Sequence, residues 1–295
     1  MWIPAIKALP EFSLRGFMPK IKVGIIGCGT IGSALAKLIE RRFSRAAVLS
    51  YLCEQNFSKA STLRRKLKSK PAILNCRELI RKSDLVIEAA SARISGLIAQ
   101  SALRAGKNIL ILSVGGLLSP RQPERSEGSP STLLRMTGNG RLWIPSGAIA
   151  GVDALLAAKE AGLQSVKLVT RKPPAGLSEA PYFQKKKFPK LESTKEYCVF
   201  KGNAAEAVRN FPQNINVAAL LSLAGLGPKK TRVEIWTSNA YRANQHEVTI
   251  LSKAGEIRTV TKNLPFPENP KTSALAAYSA AALLRKIFSS IRAGT

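Results

Sequence analysis

Residues 21–32 read IKVGIIGCGTIG. The first half, Ile21 to Ile26, is a short apolar run with β-branched side chains, the pattern of a strand buried on both faces. The second half, Gly27 to Gly32, spaces its glycines as GxGxxG. From Ile31 to Arg42, the residues Ile31, Leu35, Leu38 and Ile39 fall on one face of a helix. A glycine motif alone says little. Between a strand and a helix it reads as a dinucleotide-binding turn. Gly27 permits the tight turn, Gly29 lets the backbone approach a pyrophosphate, and Gly32 lets helix and strand pack closely. The helix start, with Thr30 and Ile31, then offers N–H groups to phosphate.

Downstream the pattern repeats. Ala47 to Leu52 reads as a second strand, Ser61 to Lys68 as a basic helix, Asp84 to Ala89 as a strand, Ile94 to Ala105 as a helix and Asn108 to Ser113 as a further buried strand. Strands alternating with helices predict βαβ units and a parallel sheet. Glu54 lies 22 residues beyond Gly32, where this architecture places an acid for the ribose hydroxyls. A carboxylate there favours NAD over NADP, while Lys59 and Arg64 nearby keep NADP open. The small residues up to Ser91, after one strand, and Ser113 to Gly116, after the next, leave room for the nicotinamide ribose at the carboxyl ends of the strands.

The rest of the chain changes texture. Residues 119–140 are rich in Pro, Ser, Gly and charge and read as a mobile surface insertion. Regular structure is expected to resume at Arg141 to Pro145. A helix is expected from Ala150 to Ala161 and strands at Ser165 to Arg171, Tyr197 to Phe200, Thr231 to Trp236, Glu247 to Leu251 and Ile257 to Thr261. Asn203 and Glu206 have capping-box spacing for a helix to Asn210. The last helix is expected over Ser273 to Ile287. The fold class is therefore a Rossmann-type doubly wound parallel sheet followed by an α+β domain with a mostly antiparallel sheet. Boundaries are expected at 1–17 (a loose extension), 18–148 (dinucleotide-binding), 149–272 (substrate and catalysis) and 273–295 (a helix packing back on the first domain).

Composition narrows the chemistry. Lys and Arg number 46 against 18 Asp and Glu, a net charge of +28. The excess is spread along the chain without aromatic interleaving, and no RRM, KH or zinc-finger pattern is present, so a specific nucleic-acid partner is not expected. Four cysteines, at 28, 53, 76 and 198, contain no CxxC, which argues against a disulfide scaffold or a zinc centre. With one histidine, His246, a multi-histidine metal site is excluded, and the expected metal content is none. His246 has the side chain suited to proton transfer near neutrality. The longest apolar stretch, Ala274 to Leu284, is too short for a membrane span, which needs about 18 residues. A cytoplasmic location is expected.

Several longer segments carry a resemblance: 22–32, 143–155 (WIPSGAIAGVDAL), 170–174 (TRKPP), 200–219 (FKGNAAEAVRNFPQNINVAA), 244–248 (NQHEV) and 263–279 (NLPFPENPKTSALAAYS). With them the chain resembles the L-aspartate dehydrogenase family over most of its length from Met18. The resemblance implies oxidation of L-aspartate to iminoaspartate with NAD or NADP, supply of iminoaspartate to quinolinate and NAD synthesis, and a homodimer. It places the catalytic histidine at His246 and nicotinamide-site residues at Ala148 and Asn216. Lys271, Thr272 and Ser273, at the start of the last helix, are candidates for binding the dicarboxylate through charge and helix dipole. At 238–239 the chain carries Ser-Asn where the family usually has Asp-Pro. The competing readings are another NAD(P)-dependent oxidoreductase of similar architecture, such as a homoserine dehydrogenase or dihydrodipicolinate reductase relative, and a cofactor-binding homologue that has lost catalysis.

Overall fold

The computed structural model describes residues 19–118, 139–192, 194–212, 216–266, 269–291 and 293–294, with the side chains of 269–272 outside the description. The expected extension at 1–17 and nearly all of the expected insertion at 119–140 lie outside the described residues.

The first sheet contains β1 (Ile21–Ile26), β2 (Ala47–Cys53), β3 (Ala72–Ile73), β4 (Leu85–Glu88), β5 (Asn108–Ile111) and β6 (Leu142–Trp143). Its order is β3-β2-β1-β4-β5-β6, and every pairing is parallel. The order reverses between β1 and β4, so a crevice opens beyond their carboxyl ends, where this architecture binds its ligands. Val23, Ile25, Val86 and Ile87 are fully buried, as expected of strands covered on both faces. Helix α1 (Thr30–Arg42) buries Leu35, Ala36 and Ile39. Helices α2 (Phe57–Lys66), α3 (Cys76–Lys82) and α4 (Ala92–Arg104) complete the layer pattern.

The second sheet has the order β11-β10-β7-β9-β8. It uses β7 (Leu163–Lys172), β8 (Tyr197–Asn203), β9 (Arg232–Thr237), β10 (Asn244–Ser252) and β11 (Gly255–Asn263). Only β7 and β9 pair in parallel; the other three pairings are antiparallel. Helices α5 (Val152–Glu160), α6 (Ala204–Asn210) and α7 (Asn216–Ala224) accompany it. The capping box at α6 forms in both directions: Glu206 N–H donates to Asn203 Oδ1 and Asn203 N–H to Glu206 Oε2.

Alternation along β7 and β10 positions the site. Val166, Leu168, Thr170 and Lys172 share one buried face of β7, and His246, Val248 and Ile250 share the matching face of β10. The apolar members enter the core. The polar members lie at the strand ends nearest the first sheet. On the other face, Lys167 pairs with Glu234 at 2.9 Å and Arg171 with Glu247 at 3.0 Å. Such partly exposed pairs contribute about 0–1 kcal/mol each.

The packing differs in places from the sequence reading. One core cluster runs from Ile26 and Ile98 through Leu155, Val166 and Phe211, so residue 148 divides the sequence without interrupting the core. Helix α8 (Ala274–Phe288) buries Ala280 and Leu284 among β1 and α1 residues, and its Phe288 ring meets Phe43 edge-on at 5.5 Å. Elements absent from the sequence reading are β3, α3, α7 and the ribbon of β12 (Pro265–Phe266) and β13 (Asn269–Ser273). Two-residue strands fall below any periodic window. Helix α7, NVAALLSLA, buries every residue from Val217 to Ser222 and so shows no amphipathic stripe. Helix α2 begins at Phe57 rather than Ser61 because Asn56 caps it, accepting from Lys59 N–H.

Candidate active site

The glycine turn comes first. Gly27 sits at φ +100°, a conformation that L side chains rarely adopt, and a Cβ there would lie 2.5 Å from Ala89 O. A Cβ on Gly32 would lie 1.9 Å from Gly27 O, so α1 can meet β1 only through glycine. A Cβ on Gly29 would meet nothing within 4 Å, which leaves open space where the backbone faces a ligand. No acidic residue occupies the first turn of α1. Glu54, just past β2, accepts Cys28 N–H at 2.8 Å, so its carboxylate stands beside the turn. These residues fit a dinucleotide: a glycine turn at a helix N-terminus suits phosphate, and a carboxylate past the next strand suits ribose hydroxyls.

Glu88 had no role in the sequence reading. It is fully buried at the end of β4, accepting Ala90 N–H at 2.9 Å and Ser113 N–H at 3.0 Å. It thereby ties together the loops after β4 and β5. Burial pushes its carboxyl above the usual range, and these N–H groups partly offset that. Ser91 is exposed at the N-terminus of α4, on the same sheet edge but outside the cavity described next.

A cavity lies between the two sheets. Its lining includes Ile31, Ala148, Asn216, His246 and Ser273, all singled out from sequence. They come from α1, the 145–151 loop, α7, β10 and the start of α8. Asn216 Oδ1 accepts Gly115 N–H at 3.1 Å, leaving its amide group as the donor toward the cavity. The carbonyl of Ala148 accepts from Asn263 Nδ2 at 2.9 Å and Thr261 Oγ1 at 3.1 Å, and Thr259 Oγ1 holds Ala150 O at 3.2 Å. Strand β11 thus fixes the loop, and the Ala148 carbonyl is already committed. Lys271 and Thr272 fall among the side chains that the structure does not describe.

His246 is 4% exposed and pairs in register with Thr170, whose Oγ1 lies 3.1 Å from the imidazole Nδ1. Burial, reinforced by the charge of Lys172, pushes its pKa down to about 3. The ring is therefore neutral across the physiological range. In the tautomer whose Nδ1–H donates to Thr170, Nε2 carries the lone pair. Lys172 itself is 6% exposed and lines the same cavity, and burial lowers its pKa to about 8. Lys172 lies within the TRKPP segment, where its sequence context alone implies no role. Its signal was strand alternation with Thr170, legible only once β7 is known to end at the site.

The low pKa of His246 has a consequence for stability. The unfolded chain takes up its proton near pH 6.5, but the folded chain does not until about pH 3. A depressed pKa makes the stabilisation complete above the unfolded value and lost as pH falls toward the folded one, at up to about 1.4 kcal/mol per pH unit. Urea midpoints between pH 7 and 5 should therefore fall more steeply in the wild type than in His246→Gln. Equal slopes would mean the imidazole titrates normally.

Ser238 and Asn239 are not among the residues that line the cavity. Ser238 Oγ accepts Ala240 N–H at 3.2 Å and donates to Thr194 O at 3.4 Å. Among the described residues, no group of three His, Cys, Asp or Glu side chains could hold a metal ion, and no helix is long and apolar enough to cross a membrane.

Comparison with known proteins finds two family models. Residues 153–287 match "Aspartate dehydrogenase, C-terminal", and residues 27–125 match "Homoserine dehydrogenase, NAD binding domain". The chain is 42% identical to an L-aspartate dehydrogenase of Methanosarcina acetivorans over 276 residues, covering 93% of this chain and 100% of the relative. It is 41% identical to one from Methanosarcina mazei with the same coverage. A crystal structure of an aspartate dehydrogenase from Thermotoga maritima aligns with TM-score 0.71 and 27% identity, over 93% of this chain and 99% of that one.

Proposed function

The chain belongs to the L-aspartate dehydrogenase family, an NAD(P)-dependent oxidoreductase family, and we propose that it oxidises L-aspartate to iminoaspartate, with His246 moving the proton. The observation that carries this reading is the convergence of Ala148, Asn216, His246 and Ser273 on one cavity beside a dinucleotide turn. The nicotinamide supplies the carbon that accepts hydride from Cα of the substrate.

The chain's own residues do the rest. Gly29, Thr30, Ile31 and Gly32 bring backbone to the pyrophosphate, and Glu54 meets the ribose. The Asn216 amide donates to the carboxamide. With the Ala148 carbonyl held by β11, Ala148 contributes shape to the nicotinamide site rather than an acceptor. The neutral Nε2 of His246 accepts a proton from the substrate ammonium, freeing the nitrogen lone pair that becomes the C=N bond. Once that proton has passed to solvent, the same nitrogen can take a proton from the water that attacks the imine, giving oxaloacetate and ammonia. Ser273 faces the dicarboxylate, with Lys271 and Thr272 carried from sequence into the same role. Residues 18–148 act as the cofactor unit and 149–272 as the substrate unit. The family resemblance supports a cytoplasmic homodimer; sedimentation velocity should give twice the monomer mass, and a monomer would refute it.

The direct test is NADH production from L-aspartate at alkaline pH. Turnover supports the reading, and its absence with NADH binding intact favours a homologue that has lost catalysis. Glu54 supports NAD over NADP, because its carboxylate repels a 2′-phosphate. Glu54→Gln keeps an acceptor for Cys28 N–H and removes the charge. It should raise the NADP to NAD ratio of kcat/KM at least about tenfold, since about 1.4 kcal/mol of repulsion suffices. An unchanged ratio would remove Glu54 from the ribose site.

A further inference from the structure

Lys172 and Ser273 are both more than nine-tenths buried, and both line the cavity that holds His246. Ser273 Oγ has no hydrogen-bond partner among the described residues. It sits at the N-cap of α8, a 15-residue helix whose first turn carries no acidic side chain and whose cap makes no side-chain hydrogen bond. A buried hydroxyl without a partner is destabilising, and a bound acceptor relieves it. The start of a helix also carries partial positive charge. Among the described residues no Asp or Glu lines the cavity, and the titratable groups that do are Lys172 and His246. Arg171 and Glu247 pair with each other on the opposite face of the sheet. A cavity whose described lining holds a cation, an orphan hydroxyl and a helix N-terminus, but no carboxylate, suits an anion.

We propose that Lys172 and Ser273, at the start of α8, form the subsite that grips one carboxylate of the substrate, and that this carboxylate also makes His246 a better proton acceptor. The inference rests on the dehydrogenase reading of the same cavity. Lys172 supplies a charge-assisted hydrogen bond and Ser273 a neutral one. On its own, the Lys172 ammonium charge works against protonation of the neighbouring imidazole. A carboxylate paired with Lys172 offsets that charge, so the imidazole gains basicity when the substrate is seated. The second carboxylate falls to other groups.

The probe is succinate, which has two carboxylates and no amine to oxidise. His246 is the only histidine in the chain, so imidazole resonances in NMR report its protonation without assignment. In the wild type with NADH bound, succinate should raise the apparent pKa of His246. Lys172→Met should weaken succinate binding at least about thirtyfold and abolish that shift, since removing one partner of a buried charge pair costs about 2 kcal/mol or more. Ser273→Ala should weaken binding about threefold to tenfold. Succinate is fully ionised above neutrality. Its affinity should therefore fall about tenfold per pH unit above pH 8, as Lys172 loses its proton. In Lys172→Arg it should stay flat, because guanidinium keeps its charge.

NADH affinity and thermal midpoint are measured on each variant to show that the fold persists. Wild-type succinate binding in both Lys172→Met and Ser273→Ala would overturn the subsite, as would pH-independent wild-type affinity. A different result separates the two readings: Lys172-dependent succinate binding with no turnover of L-aspartate would keep the subsite and sink the dehydrogenase assignment.

Discussion

Replacing His246 with asparagine should lower kcat for L-aspartate oxidation by about 10²- to 10⁴-fold, the usual range for loss of a positioned general acid–base. The size follows from the setting. The imidazole is buried, is oriented by Thr170 at 3.1 Å, and is the only histidine available. Among the cavity's described lining residues, the other proton carrier is Lys172, which is charged below about pH 8, so kcat is compared at pH 7, where it is no base. NADH affinity should stay within about twofold of wild type, because the glycine turn and Glu54 lie on the other sheet. Asparagine keeps a polar group within reach of Thr170, so the cavity should hold its shape. A fall of less than about tenfold in kcat would show that proton transfer runs through another group, and the mechanism would need a different base.

Replacing Gly32 with alanine should raise the Kd for NADH by at least about a hundredfold and lower the thermal midpoint. The added Cβ would stand 1.9 Å from the carbonyl oxygen of Gly27, a backbone atom that cannot step aside. Relief requires α1 to move off β1, and overpacking of this kind costs about 1–3 kcal/mol. The same movement withdraws the helix N-terminus from the pyrophosphate, so stability and cofactor affinity fall together. Gly29→Ala is the control. Its Cβ would meet nothing within 4 Å of the protein, so the thermal midpoint should hold while NADH binding weakens. Equal loss of stability in both variants would mean the turn is only a packing device.

Residues 21–32 determined the first half of the fold without help, because their requirements are local. A buried strand, a turn that only glycine satisfies and a helix with one apolar face follow from neighbours within about ten residues. The place of Glu54 beside the glycine turn and the Asn203 cap were legible for the same reason: each follows from a fixed spacing along the chain. His246 stood out as the lone histidine, but its burial, its bond to Thr170 and its suppressed basicity were not legible. They depend on β7 and β10 aligning 76 residues of chain separation into register. Lys172 escaped notice because a lysine in a basic chain looks like solvated surface, and only its alternation with Val166 and Leu168 on the inner face of β7 buries it. Glu88 escaped because a carboxylate ending a strand shows no sign of the Ser113 N–H it will accept, 25 residues away. Helix α7 was hidden by its own burial, which erases amphipathic contrast. Local sequence set the turn, the strands and the side-chain types. Tertiary packing alone set which polar groups leave water, and that loss of water gives Lys172, Ser273 and His246 their chemistry.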